Sequence, residues 1–289
     1  MKARLQTKKA FTQALGFFGL RAALGLVLLI LVFILADIGT KGAGSITWEF
    51  LSKPPRRGMT EGGIFPAIYG TLLVTLITAV LAVPLGMGAA VYLNEYAPKN
   101  RLTRLIRLSI RNLSGVPSIV YGLFGVILFV NIFKFGTSVL SAGLTLGLLT
   151  LPWTITASEE ALKTVPKSYR EGALALGATR WYAIRTNVLP YAVPGMLTGV
   201  ILGLARAAGE TAPILFTGAA FFLPHLPKSL FDQFMALPYH LYILATQHHD
   251  IAKVRPIAYG TALVLLCLIL LLSTSAIYFR YRYRQRMRS

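Results

Sequence analysis

The sequence has little charge, and acidic residues are especially scarce. Of its 289 residues, 13% are charged, with 10 Asp or Glu against 29 Lys or Arg. About a quarter of the residues of a soluble globular protein are charged. A chain with so little charge and 55% hydrophobic residues cannot cover a soluble surface. The single cysteine, Cys267, excludes an internal disulfide and a metal site built from cysteines.

Long stretches with few or no charged residues contain most of the hydrophobic residues. A membrane-spanning helix needs about 20 mainly apolar residues. Six stretches meet this need: 22–40, 62–94, 112–133, 135–158, 186–227 and 256–279. We therefore predict an all-α integral membrane protein with six transmembrane helices. Two stretches exceed one crossing: 62–94 predicts an amphipathic or re-entrant lead-in, and 186–227 predicts a further segment beyond a break at Gly209–Pro213.

The basic residues predict how the chain is oriented in the membrane. Cytoplasmic loops carry an excess of Lys and Arg. With both termini in the cytoplasm, the inner segments carry five Lys or Arg each, whereas the three outer segments share eight. The inner segments are 1–21, 95–111, 159–185 and 280–289. The net charge of +19 is then mainly a topology signal. Arginines at alternate positions from Arg280 to Arg288 predict contact with anionic lipid headgroups rather than with nucleic acid.

The segment 159–190, between two predicted spans, is the most informative part of the sequence. Pro166 suits the first position of a helix, and Gly177 suits the end of one. A second short helix is predicted over 179–187, before Leu189–Pro190 begins the next span. Two helices hinged at Gly177 would form a compact cytoplasmic projection. The alternative is an ordinary amphipathic loop that lies on the membrane.

The pattern E-G-A-x-x-x-G-(x11)-L-P in this segment resembles the EAA loop of ABC importer permeases. The pattern consists of Glu171, Gly172, Ala173, Gly177, Leu189 and Pro190. Gly172 replaces the usual second Ala, and Asn187 stands where Ile is common. Glycine costs about 1 kcal/mol of helix propensity against alanine, which loosens the helix without abolishing docking. The resemblance implies that the loop, with Arg170 beside Glu171, forms coupling helices that dock on a separate ATPase subunit.

The resemblance also implies the type I fold of ABC importer permeases and a division of the chain. Residues 1–61 would form an N-terminal tail, the first transmembrane helix and a periplasmic loop. Residues 62–289 would form the permease core, with the coupling loop at 159–190.

The same loop contains an incomplete nucleotide-binding pattern. The run from Gly172 to Thr179 has the spacing of a phosphate-binding P-loop, but Ala178 replaces the lysine and no strand precedes it. The sequence offers no other P-loop and no arrangement of nucleophile, base and acid. We therefore expect a transport subunit that is not an enzyme and binds no cofactor, with ATP hydrolysed by the partner.

A charged pair interrupts the predicted fifth span. Arg206 and Glu210 are four residues apart and so share one face of a helix. An arginine at mid-membrane costs about 2.5–3.5 kcal/mol on insertion scales, so such residues normally face a cavity or a partner. Gly209 and Pro213 would break the helix beside the pair. These features predict a polar conduit in which the arginine fork binds a tetrahedral oxyanion. The alternative is an internal salt bridge that only holds helices together.

Two runs around this pair resemble motifs of the phosphate-specific (Pst) branch of ABC importer permeases, its A subunit in particular. The runs are 209–213, which includes Thr211, and 115–122, and the similarity extends from about Ile64 to the C-terminus. The resemblance implies inorganic phosphate import across the bacterial inner membrane. It also implies a sister permease, an ATPase dimer and a periplasmic phosphate-binding protein.

Several alternatives remain open at this point. Ser114, Ser118 and Tyr121 could supply hydroxyls to the conduit or serve ordinary interhelical packing. The substrate could be another oxyanion, such as molybdate or sulfate. A stand-alone carrier or a membrane enzyme would belong to a different class, but a carrier does not need the docking loop and an enzyme needs a reactive cluster.

Overall fold

Helices make up most of the computed structural model, which describes residues 2–286. In chain order, the elements are α1 (Lys2–Ala43), α2 (Trp48–Ser52), β1 (Pro55–Arg56), β2 (Glu61–Gly62), α3 (Phe65–Val91), α4 (Arg101–Leu113), α5 (Ser118–Gly125), α6 (Val139–Lys163), α7 (Lys167–Ala175), α8 (Arg180–Ala183), α9 (Leu189–Ala208), α10 (Ala212–Thr217), α11 (Leu237–Thr246) and α12 (Ile251–Arg286). Short π-helical segments continue three of these helices. Tyr92–Tyr96 extends α3, Val126–Ile132 extends α5, and Ile184–Val188 joins α8 to α9. The two short strands pair antiparallel.

Five helices are long and apolar enough to cross a membrane, and the bent pair α4–α5 counts as a sixth if its two parts form one span. The five are Gly16–Ala43, Phe65–Tyr96, Val139–Lys163, Arg180–Ala208 and Ile251–Arg282. The all-α membrane architecture predicted from the sequence is thus confirmed, with five or six candidate spans where the sequence predicts six. The predicted side of the two termini stays a prediction.

The lead-in predicted for the stretch 62–94 is wrong. Gly62 ends β2, and α3 then runs without a break from Phe65 through the π-helical segment that ends at Tyr96. Pro66 lies in the first turn of α3, where a missing N–H costs no helical hydrogen bond. The extra length therefore belongs to the span itself, which carries Glu95 beyond the apolar part of the helix.

The stretch 112–133 belongs to two helices. Its first two residues end α4, and the axis turns by 101° before the α5 segment Ser118–Ile132. The α conformation is disfavoured for a residue that precedes proline, so Pro117 explains why α4 cannot continue straight into α5.

The break predicted at Gly209–Pro213 is confirmed, because α9 ends at Ala208 and α10 begins at Ala212. The separate helix predicted over 179–187 is wrong. Instead, α8, the π-helical segment Ile184–Val188 and α9 form one continuous helix, Arg180–Ala208. Pro190 lies inside this continuous helix, just after the π-helical segment, and does not end it.

The core of the bundle lies where α6 packs along both α3 and α9. Small residues permit the close approach. A side chain at Gly199 would overlap Ala157, and one at Gly143 would overlap Ile77. By contrast, α1 packs against α12, where Gly42 lies against Tyr259, and most of its apolar side chains are exposed.

The end of α12 carries the arginines predicted to face lipid. Arg280 donates through Nη1 to Thr198 Oγ1 at 2.7 Å, and Arg282 lies over the Tyr278 ring. Arg288 lies outside the described residues, so the predicted stripe is described only in part.

Candidate functional site

The charged pair sits where α9 ends. Arg206 Nε lies 3.3 Å from Glu210 Oε1, so the two residues are paired, although Glu210 lies beyond the end of the helix. The chain leaves the helix between the two residues, because Gly209 N–H bonds back to Arg206 O at 3.0 Å. The Arg206 side chain is 60% exposed and the Glu210 side chain 17% exposed. The rest of the guanidinium fork has no partner among the described residues and remains available to a ligand.

A small cavity lies beside Arg206, between α6, α9 and the end of α4. Its volume is about 20 Å³, which holds about one water molecule. Its lining residues are Leu113, Ser114, Leu149, Thr150, Trp153, Gly203, Arg206 and Ala207. The structure therefore brings Ser114 and Arg206 together, in a space too small for a tetrahedral oxyanion in this conformation.

The other predicted conduit residues do not line this cavity. The Tyr121 hydroxyl donates to Leu113 O at 3.0 Å, which ties α5 to the end of α4. Ser118 is the first residue of α5, and Thr211 precedes α10 directly after Glu210. The geometry of Tyr121 thus favours packing between helices, one of the two roles that the sequence left open.

The coupling loop forms a projection at one end of the bundle, which we call the loop end. Gly177 has a φ of +81°, a conformation that strongly favours glycine, and it turns the chain between α7 and α8. Thr179 Oγ1 accepts from Tyr182 N at 3.3 Å and begins α8. Leu189 and Pro190 lie in the first turn of α9. The turn that the sequence predicted at Gly177 is confirmed.

The outer surface of this projection is polar at α7 and apolar at the turn. Glu171 and Gly172 are exposed, and Ala173 is buried beneath them. Leu176 is 91% exposed and Trp181 is 54% exposed. Large apolar side chains exposed together are typical of a surface that binds another protein.

Arg170 connects the projection to the transmembrane helices. Its Nη2 lies 2.7 Å from Glu95 Oε1 and 3.1 Å from Leu162 O, and its Nη1 donates to Val165 O at 2.9 Å. The Glu95 side chain is only 6% exposed. Arg180 also donates to the backbone carbonyl of Glu95. One guanidinium therefore joins α7 to the ends of α3 and α6.

A second ion pair stabilises the same end of the bundle. Arg107 of α4 lies 2.7 Å from Glu159 Oε1 of α6, and its Nη2 donates to Leu93 O at 2.6 Å. The sequence analysis missed Glu95, Arg107 and Glu159. A usable signal was present, since both glutamates directly follow a long charge-free stretch and stand near clusters of arginine.

Comparison with known proteins identifies the family. Residues 82–289 match the family described as the binding-protein-dependent transport system inner membrane component. The chain belongs to this family. It is therefore a multi-pass protein of the bacterial inner membrane, as the sequence predicted.

Individual relatives agree with this assignment. The chain is 34% identical to the probable ABC transporter permease protein YqgI of Bacillus subtilis, over 88% of this chain and 89% of YqgI. It is 36% identical to the phosphate transport system permease protein PstA of Mycobacterium leprae, over 82% of this chain and 78% of that protein. A bacterial alginate ABC transporter, crystallised in complex with an alginate pentasaccharide-bound periplasmic protein, has the same fold. The alignment to one chain of that transporter has a TM-score of 0.64 at 12% sequence identity, and it covers 94% of each chain.

Proposed function

We propose that this chain is a permease subunit of an ATP-driven importer of inorganic phosphate. The observation that carries the proposal is the likeness to a phosphate permease over most of both chains, together with an arginine fork beside the break in α9. An arginine presents paired donors that match the oxygens of phosphate. Glu210 would hold the fork in place when the site is empty and help release the anion by repulsion.

The pathway in this proposal needs a second permease chain. The cavity beside Arg206 holds about one water, whereas the Arg206 side chain itself is largely exposed. A sister permease would pack over this exposed face, and the two chains would enclose the route between them. A periplasmic phosphate-binding protein would deliver the substrate to the periplasmic end of this pathway, by analogy with the periplasmic protein bound to the alginate transporter.

The energy in this proposal comes from a partner ATPase dimer. The chain itself would bind no cofactor and hydrolyse no ATP. The exposed surface at Glu171, Gly172, Leu176 and Trp181 would dock on the ATPase, and the contacts of Arg170 would pass the movement to α3 and α6. Both the pathway and the docking loop fall in the proposed permease core, residues 62–289.

The proposal is tested by measuring the uptake of radiolabelled phosphate. The chain and its proposed partner subunits are reconstituted in proteoliposomes loaded with ATP. Arg206→Gln removes the charge-assisted hydrogen bonds, each worth about 1.5–3 kcal/mol, so we expect uptake to fall at least tenfold, because about 1.4 kcal/mol corresponds to a factor of ten. The control is Arg21→Gln, at an exposed arginine of α1 outside the proposed permease core, which should transport normally.

Three results would contradict the proposal. Unchanged uptake in Arg206→Gln would remove the residue from the pathway. Loss of assembly in that variant would mean that the pair with Glu210 is a structural salt bridge. Transport of molybdate or sulfate in preference to phosphate would assign a different oxyanion to the same permease.

A further inference from the structure

A basic groove follows α4 at the loop end of the molecule. Its volume is about 370 Å³, within the range of small-ligand sites. The lining residues are Lys99, Asn100, Thr103, Arg104, Arg107, Leu108 and Arg111. Four of the seven are basic and none is acidic. We call this feature the α4 groove.

The helical spacing explains why the charges converge. Arg104, Arg107 and Arg111 are three and four residues apart, so they lie on one stripe of the helix. From Arg104 to Arg111 the stripe extends over about 10 Å, at 1.5 Å per residue, and Lys99 lies just before the start of the helix. The groove is thus a continuous basic track and not a single cationic position.

Most of this charge is not neutralised. Arg107 is held by Glu159 and by Leu93 O, so its guanidinium is fixed and its charge is paired. In the described part of the chain, no ion pair or side-chain hydrogen bond involves Lys99, Arg104 or Arg111. The acid nearest in sequence to these cations, Glu95, is paired with Arg170. The groove therefore keeps three positive charges for a ligand, beside one immobilised arginine.

The α4 groove is joined to the pathway by its own helix. Leu113 and Ser114, at the end of α4, line the cavity beside Arg206. Arg111 precedes Ser114 by three residues, about 4.5 Å along a helix axis. The basic stripe thus begins next to the Arg206 cavity and leads away from it toward the start of α4 at the loop end.

We propose that the α4 groove is a second site for a phosphate group, distinct from Arg206 and located between the pathway and the loop end. Two sources share this chemistry: free inorganic phosphate leaving the pathway, and the headgroup of an anionic phospholipid beside the exposed apolar residues of α4, such as Leu102 and Leu105. Free phosphate as the ligand rests on the proposed function. The affinity of the groove for a phosphate group does not.

The test uses the full-length chain, purified with its partner subunits in nanodiscs of phosphatidylcholine, and measures the thermal unfolding midpoint. Inorganic phosphate is added in one arm, and phosphatidylglycerol is incorporated into the nanodisc in the other. The test variant is the double substitution R104Q/R111Q. The matched control is Arg101→Gln, an exposed arginine of α4 that does not line the groove.

Ligand that binds the folded state raises the midpoint. Because phosphate at Arg206 would also raise the midpoint, the phosphate arm is run in the Arg206→Gln background. We expect phosphate to raise the midpoint by a few degrees in Arg206→Gln and in Arg206→Gln combined with Arg101→Gln, but not in Arg206→Gln combined with R104Q/R111Q. A rise caused only by phosphatidylglycerol, and lost in R104Q/R111Q, would support the site and assign the lipid headgroup. If the rise in midpoint caused by each ligand is the same with and without Arg104 and Arg111, the site does not exist. Phosphate uptake by the same wild-type complex is measured separately, so loss of the proposed function and loss of the groove give different results.

Discussion

Arg170 and Glu171 are neighbours in α7 and belong to the same sequence motif, but their side chains lie in opposite environments. Arg170 is half-buried and contacts Glu95 and three backbone carbonyls. Glu171 is exposed and has no partner among the described residues. The motif that resembles the EAA loop therefore combines a residue that holds the loop in place with one that faces outward.

Substituting each residue should separate these two roles. Arg170→Met would leave Glu95 buried without its cation, which we expect to lower stability by about 2 kcal/mol or more. Glu171→Lys changes only exposed surface, so stability should change by less than about 0.5 kcal/mol. That variant should nevertheless lose co-purification of the ATPase. The measurements are thermal unfolding of the purified chain and ATPase recovery on affinity purification.

Adding Glu95→Gln to Arg170→Met supplies the control, because it removes the unpaired charge. Part of the lost stability should return if the ion pair is the cause. The interpretation of Glu171 would be wrong if Glu171→Lys assembled and transported like the wild type.

At the scale of elements, the bundle depends on how closely α6 and α9 approach. Gly199 faces Ala157, and its carbonyl accepts from Trp153 Nε1 at 3.2 Å. The cavity beside Arg206 lies in the same contact, since Trp153 lines it. The spacing of these two helices thus sets both the packing and the shape of the candidate pathway.

Gly199→Val should force α6 and α9 apart. Overpacking of a well-packed contact costs about 1–3 kcal/mol, so we expect a lower thermal midpoint in detergent and weaker phosphate uptake. Gly88→Val in α3 is the matched control, because a Cβ there meets no atom within 4 Å. Equal stability of the two variants would show that this contact does not limit the bundle.

The elements also show what the sequence could and could not predict. Charge-free stretches identified the spans, since their length is dictated by the bilayer. Helix breaks at Gly177 and at Gly209–Pro213 were predicted because backbone chemistry decides them locally. The continuous helix from Arg180 to Ala208 was not predicted, because a proline near the start of a predicted span is also compatible with a new helix that begins there.

The site was predictable to a similar degree. The pairing of Arg206 with Glu210 could be predicted from their separation of four residues, and it persists although the helix ends between them. The contacts of Arg170 with Glu95 and of Arg107 with Glu159 join residues 75 and 52 positions apart in the sequence. A single sequence carries no direct record of such contacts, so their partners could be found only in the folded chain.

At the scale of the whole molecule, the orientation predicted from the basic residues can be measured. The chain has one cysteine, so Cys267→Ser gives a cysteine-free background. In that background, Glu171→Cys should react with a membrane-impermeant maleimide in inside-out vesicles and not in spheroplasts. Lys228→Cys, at an exposed residue of the α10–α11 connection, should show the reverse.

The chain is expressed without its ATPase in this experiment, so that docking does not protect position 171. Labelling of Glu171→Cys from outside would reverse the orientation and would be incompatible with a cytoplasmic ATPase bound there.

The unbroken helix from Arg180 to Ala208 has a mechanical consequence. It carries Trp181 near one tip and Arg206 near the other, some 38 Å away at about 1.5 Å per residue. Gly177 and Gly209, where the chain turns, flank this helix, and Pro190 and Pro194 lie within it. A displacement of Trp181 by a docked ATPase would reach Arg206 through one continuous helix, and any bending at the π-helical segment Ile184–Val188 would reduce the displacement that arrives there.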